Sequence, residues 1–134
     1  MTEASPAPLP RLAASPLTLY REALSRGELA YQADPAGQAV FYPRVTPPNG
    51  CEGALHWMTS RGLGTVYATT FISPRGEAAY NVALIDMDEG FRLMSRVESA
   101  APADVRIAMR VRVRIHPGQG EEAPYPVFDP SEEA

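Results

Sequence analysis

From Thr65 to Ile115 apolar residues recur at alternate positions in runs of about eight to eleven residues, each cut off by a turn signal. That spacing allows little except a small antiparallel sheet, because side chains along a strand alternate between faces with a period of two. Thr65-Val66-Tyr67-Ala68-Thr69-Thr70-Phe71-Ile72 is rich in β-branched and aromatic residues, and Ser73-Pro74-Arg75-Gly76 ends it. Tyr80 to Met87 forms the next run, Asp88-Glu89-Gly90 the next turn, and Phe91 to Val97 the return strand. After Glu98 to Asp104 comes a last long run, Val105 to Ile115. Strands at this regular spacing, with short turns between them, predict a small antiparallel sheet closed into a barrel; the five-stranded OB-fold fits, and its usual interruption between the third and fourth strands fits Glu98 to Asp104.

The segment before the barrel reads differently. Pro6, Pro8, Pro10 and Pro16 lie in an Ala/Ser/Pro leader with too little apolar surface to fold, so residues 1–16 are expected to be disordered. Leu17 to Arg26 predicts a short helix with Leu17, Tyr20, Ala23 and Leu24 on one face and Gly27 at its end. Ten residues do not hold a helix alone, so it must pack on the barrel or dock on a partner. Leu29 to Tyr31 and Val40 to Tyr42 predict a hairpin around Asp34-Pro35-Ala36-Gly37, and Thr46-Pro47-Pro48-Asn49-Gly50 a second turn. Two turns bracketing a strand outline a rubredoxin-like ribbon over residues 17–54, but zinc needs about four thiolate or imidazole ligands. The first knuckle offers Ala33 and Ala36 and the second at most Cys51, so no metal is expected. The barrel is then assigned to residues 55–117, and 118–134 to an extended tail rich in proline and acidic residues.

No catalytic constellation stands out. Gly62 and Gly64 do not make a phosphate loop, because a strand follows them where a helix N-terminus would be needed; they fit a sharp bend or bulge at the first barrel strand. Arg110, Arg112 and Arg114 alternate with Val111, Val113 and Ile115 and so share a strand face, which Arg92 and Arg96 extend. Such a stripe is either a solvated surface or a contact for an anionic ligand or an acidic partner. Single-stranded nucleic acid would use it with stacking aromatics such as Tyr67, Phe71 and Tyr80. Asp86, Asp88 and Glu89 read as a hairpin turn rather than an acid–base pair. Nothing places His56 or His116 beside Cys51 or a serine. The formal charge of −4 weighs against a general nucleic-acid binder. One cysteine makes no internal disulfide, and no apolar run is long enough to cross a bilayer, so a soluble, cytoplasmic protein is expected.

The order of helix, ribbon, Trp57, Gly62-Leu63-Gly64-Thr65-Val66-Tyr67 and Val82-Ala83-Leu84-Ile85-Asp86-Met87-Asp88-Glu89-Gly90 is followed by Ile107 to Val113 and Pro126-Val127-Phe128. Over about Leu19 to Phe128 this resembles the family that joins a zinc ribbon to an OB-fold, domain of unknown function thirty-five. The resemblance implies a mainly β protein without activity of its own. It would dock on a thiolase-like enzyme or a hot-dog hydratase and share acyl-CoA with it as ligand. Ala33 and Ala36, and then Pro47 with either Gly50 or Cys51, stand where the family has its two pairs of zinc-binding cysteines, so zinc is not carried over. The residues expected to meet a ligand or partner are Arg92, Arg96, Arg110, Arg112, Arg114, Tyr67 and Trp57. The alternative is an OB-fold that binds single-stranded nucleic acid.

Overall fold

The computed structural model describes residues 15–44 and 54–132. It opens on helix α1 (Pro16–Ser25), whose N-terminus is capped by the Ser15 hydroxyl accepting from the Thr18 amide at 3.1 Å. Pro16, with its fixed φ and no N–H, suits the first turn. At the other end Gly27 takes φ +83°, and its N–H donates to the Leu24 carbonyl at 2.9 Å. Ala23 and Leu24 are buried, whereas Leu17, expected on the same face, is exposed because the first turn extends past the core.

Strands β1 (Ala30–Ala33), β2 (Ala39–Val40) and β3 (His56–Thr59) form a three-stranded antiparallel sheet in the order β2-β1-β3. The hairpin between β1 and β2 turns where the sequence predicts. Asp34 Oδ1 accepts from the amides of Ala36 and Gln38 at 2.9 and 2.8 Å, and Gly37 adopts φ +86°. Buried Gln32 extends this ribbon: its side-chain amide donates to the Arg44 carbonyl at 2.8 Å and accepts from the Arg44 amide at 2.7 Å. The second predicted turn, with Pro47, Gly50 and Cys51, lies outside the described residues, as does most of the leader. Ala33 and Ala36 have no donor atoms for zinc, and among the described residues no group of three metal-binding side chains occurs. The described part of the ribbon offers no zinc ligand at the first knuckle.

The second sheet holds β4 (Leu63–Ile72), β5 (Tyr80–Met87), β6 (Arg92–Ser95), β7 (Arg110–His116) and β8 (Tyr125–Pro130), in the order β6-β5-β4-β7-β8. A parallel bridge between Val97 and Phe128 joins its two ends and closes it into a barrel. A short 3-10 turn, Pro102–Asp104, occupies the interruption between β6 and β7. This is the five-stranded OB-fold that the alternation predicts, but two of its strands are reassigned. The segment around Trp57, assigned with residues 55–117 to the barrel, pairs with β1 instead (Tyr31 opposite Met58, Gln32 opposite Trp57). The fifth strand is β8, in the stretch expected to be an extended tail; it pairs with β7 from Val111 opposite Pro130 to His116 opposite Tyr125. Val127 and Phe128 are fully buried there, and that burial outweighs the poor strand propensity of Pro126 and Pro130.

Gly62 and Gly64 mark where β4 enters the barrel. Gly62 has φ +83°, and a Cβ on Gly64 would stand 2.8 Å from the Asp86 carbonyl oxygen. The register of β4 on β5 slips between Val66 and Ala68, a bulge that leaves Tyr67 unpaired and exposed. The core holds Val66, Ile85, Leu93, Val97, Val111 and Phe128, and also Leu24, Leu29 and Tyr31 from the N-terminal elements. Stacking of Tyr31 on Phe91 (4.8 Å between centroids) and of Phe41 on Phe91 (5.0 Å) fastens the ribbon to the barrel. No helix among the described residues is long and apolar enough to cross a membrane.

Candidate functional site

The strand pattern places Arg110 and Arg114 on β7 and Arg92 on β6, as expected, and the fold brings a carboxylate to each. Arg110 donates through both Nη atoms to the two carboxylate oxygens of Asp88, at 2.8 and 2.9 Å, and also to Thr65 Oγ1 at 3.0 Å. Arg114 holds Asp129 in the same two-pronged way, at 2.8 and 3.1 Å, and donates to Glu98 at 2.8 Å. Glu98 is shared with Arg96, whose Nε lies 3.3 Å from its other oxygen. Arg92 pairs with Asp86 across the strands and lays its guanidinium 3.5 Å from the centre of the Tyr67 ring. Arg112 is not free either.

These bonds set the charge states. The hydrogen bonds from Arg110 hold the Asp88 carboxyl below the usual carboxylate range, and those from Arg114 do the same to Asp129. In return Asp129 and Glu98 raise the pKa of Arg114. Planar two-pronged pairs between arginine and carboxylate are the stronger kind. The arginine stripe is therefore an internally neutralised network on the outside of the barrel. Asp86 and Asp88 belong to it. Glu89 instead accepts from Ser60 Oγ and the Arg61 amide, both at 2.8 Å, and ties the β5–β6 turn to the entry of β4. Trp57 stands apart from the arginines, half-buried on the three-stranded sheet. His116 stacks on Tyr125 and accepts from the Gly118 amide at 2.9 Å, while His56 is exposed on β3. The two histidines have no nucleophile beside them among the described residues.

A cavity lies elsewhere among the described residues, along the seam where β6 meets β8. It is an open groove of about 420 Å³ with mainly apolar walls: Leu93 and Met94 from β6, Pro126 and Val127 from β8, and Tyr20, Phe41 and Tyr42 from the N-terminal elements. Its volume falls within the range of ordinary ligand sites. Met94 is 61% exposed and Tyr42 60%, so the groove runs out onto the surface. Burial, with Tyr42 nearby, pushes the Tyr20 phenol up to about 12, and it stays a neutral hydroxyl at physiological pH. Asn81 sits below, its amide bonded to both the N–H and the C=O of Val97 at 2.9 and 2.7 Å. The sequence reading missed this groove because its walls come from α1, the ribbon and both barrel ends. One local signal was present: Met94 alternates outward between Leu93 and Ser95 where a polar residue would be ordinary.

Fold and surface together define the class: an OB-fold barrel with a fused ribbon, an internally paired charge network and an apolar groove at the seam. Residues 57–116 match the family model described as ChsH2, C-terminal OB-fold domain. A chain in the solved structure described as "Ltp2-ChsH2(DUF35) aldolase" superposes with a TM-score of 0.74 at 25% identity, over 88% of this chain and 96% of that one. No curated protein matches the sequence. Both matches support the resemblance to the family of domain of unknown function thirty-five that the sequence implied. The matched segment ends on the last residue of β7, and the strand that completes the barrel lies beyond it.

Proposed function

We propose that the chain is a non-catalytic accessory subunit that docks on an acyl-CoA enzyme, thiolase-like or of the hot-dog hydratase type, and supports acyl-CoA binding or channelling there. The observation that carries this reading is its likeness, across nearly the whole of both chains, to a chain from a structure described as an aldolase assembly. The surface chemistry agrees. Arg92, Arg96, Arg110 and Arg114 are tied into ion pairs, and the groove beside them is apolar and rimmed by tyrosine and methionine, residue types enriched at interface cores. In this reading Arg96 in the groove wall, and Arg92 stacked on Tyr67, contact the partner with their charges already balanced. Trp57 offers a second contact on the ribbon. A single-stranded nucleic-acid role draws no support from this surface, because carboxylates already occupy the guanidiniums a phosphate backbone would need. The test is to purify the native chain from its cell, identify any enzyme retained with it, and assay that enzyme on its acyl-CoA substrate with and without the chain. Turnover that depends on the chain supports the reading. A monomer that retains no enzyme and alters no acyl-CoA reaction overturns it.

A further inference from the structure

The seam between β6 and β8 is open for a chemical reason. Two bonds hold its closed end: the Phe128 amide donates to the Arg96 carbonyl at 3.0 Å, and the Glu98 amide donates to the Phe128 carbonyl. Continuing that parallel ladder by one step requires the residue 126 amide to donate to the Met94 carbonyl. Residue 126 is proline and has no N–H, so the ladder stops. The Pro126 carbonyl is taken instead by the Ser95 hydroxyl at 2.9 Å.

Strand alternation then fixes what β6 presents. The Phe91 carbonyl bonds to the Met87 amide, Leu93 stands opposite Ile85 and Ser95 opposite Ala83, and both backbone groups of Val97 go to Asn81. Odd-numbered residues therefore aim their N–H and C=O toward β5. The backbone groups of Met94, like those of Arg96, point the opposite way, toward the groove. Among the described residues no hydrogen bond reaches the Met94 backbone from that side. An unpaired strand edge beside an apolar groove is the arrangement that accepts an added strand.

We propose that β6 receives an extended segment of the partner enzyme at Met94, which pairs with the free edge and places an apolar side chain in the groove between Phe41, Tyr42 and Leu93. The inference rests on the accessory-subunit reading and specifies how the docking occurs. The unpaired N–H and C=O decide between occupants: an acyl chain fills an apolar groove but satisfies neither group, whereas a peptide backbone satisfies both. The segment has apolar side chains at alternate positions and an amide where Pro126 has none. It needs no net charge, because Arg92 and Arg96 are already paired.

The experiment uses the full chain, labelled with nitrogen-15, and the purified enzyme that co-purifies with it, and reads amide hydrogen exchange residue by residue. The Met94 amide is expected to exchange rapidly in the free chain and at least about tenfold more slowly in the complex. Met94→Pro removes this outward N–H without touching the β5 ladder, and is expected to weaken the complex by about tenfold. Tyr42→Ser, at an exposed position that carries no ladder bond, is a second variant expected to weaken it should the first not fold. Ile107→Ser, equally apolar and exposed but away from the groove, leaves the affinity unchanged. A complex in which Met94 stays unprotected overturns this inference alone. Failure of any enzyme to bind overturns the accessory-subunit reading as well. Two other results assign the groove to another occupant and overturn the inference: concentration-dependent protection of Met94 in the chain by itself, which means a second copy, or displacement of side-chain signals of Tyr42 by palmitoyl-CoA with Met94 unprotected in the enzyme complex.

Discussion

The β7 surface and the β6–β8 seam are two sides of one barrel, finished in opposite ways. On β7 none of the arginines is free, two of them are held by both oxygens of a carboxylate, and the β7–β8 ladder runs over six residue pairs. At the seam a proline stops the ladder after two bonds, and exposed Met94 and Tyr42 flank an apolar groove. A surface rich in ionisable groups is chemically quiet when those groups satisfy one another. The side with few charges is the one left incomplete. Function is accordingly sought where the fold leaves bonding capacity and apolar area unspent.

The largest effect is expected where the two sides share an anchor. Phe128 is fully buried, stands opposite Val113 on β7 and provides both backbone bonds of the seam. Phe128→Ala should cost about 3–5 kcal/mol in a denaturant titration and open the barrel at both sides, which erases the contrast. A smaller loss, with β7–β8 amides still protected, would show that the closed side stands without the seam. Asn81→Ala comes next. It leaves the Val97 N–H and C=O buried without partners and should cost about 2–4 kcal/mol, with amide protection lost first at Val97 and Glu98.

The charged side can be tested with acid. Asp129 has its pKa depressed by Arg114, so the stability it contributes is fully present above the unfolded-state value near about 4 and is lost as the pH falls through its lower folded-state value. Asp129→Asn should cost about 1 kcal/mol near neutrality, since the pair is partly exposed, and should flatten the loss of stability between about pH 4 and 2. An unchanged acid profile would mean that the network is decorative. The smallest effect on folding belongs to the groove: Met94→Ala should change stability by less than about 0.5 kcal/mol while it weakens partner binding. A large destabilisation by Met94→Ala would instead make the residue part of the core.

Local pattern carried much of this fold. The alternation of Thr65 to Ile72 and of Tyr80 to Met87 identified two barrel strands within a residue or two, and Asp34 to Gly37 located the first hairpin. Arg110 and Arg114 fell on one strand face because alternation alone dictates it. Their partners were not legible, since Asp88, Glu98 and Asp129 come from distant turns and strands. The same limit misplaced two strands. His56–Thr59 has strand character wherever it pairs, and only the packing of the ribbon sends it to β1. Tyr125–Pro130 looks like a tail from its prolines, yet Val127 and Phe128 are what the barrel buries last. The walls of the groove come from stretches as far apart as Tyr20 and Val127, so no window of sequence contains it.

The central claim is that this chain acts through a partner rather than by itself. The most direct measurement compares acyl-CoA turnover by the chain alone, by the co-purifying enzyme alone, and by the two together at a fixed ratio. The account predicts no turnover by the chain, and a kcat/KM for the enzyme that rises when the chain is added and falls back with Met94→Pro. Turnover by the chain alone, or an enzyme indifferent to its presence, would contradict it.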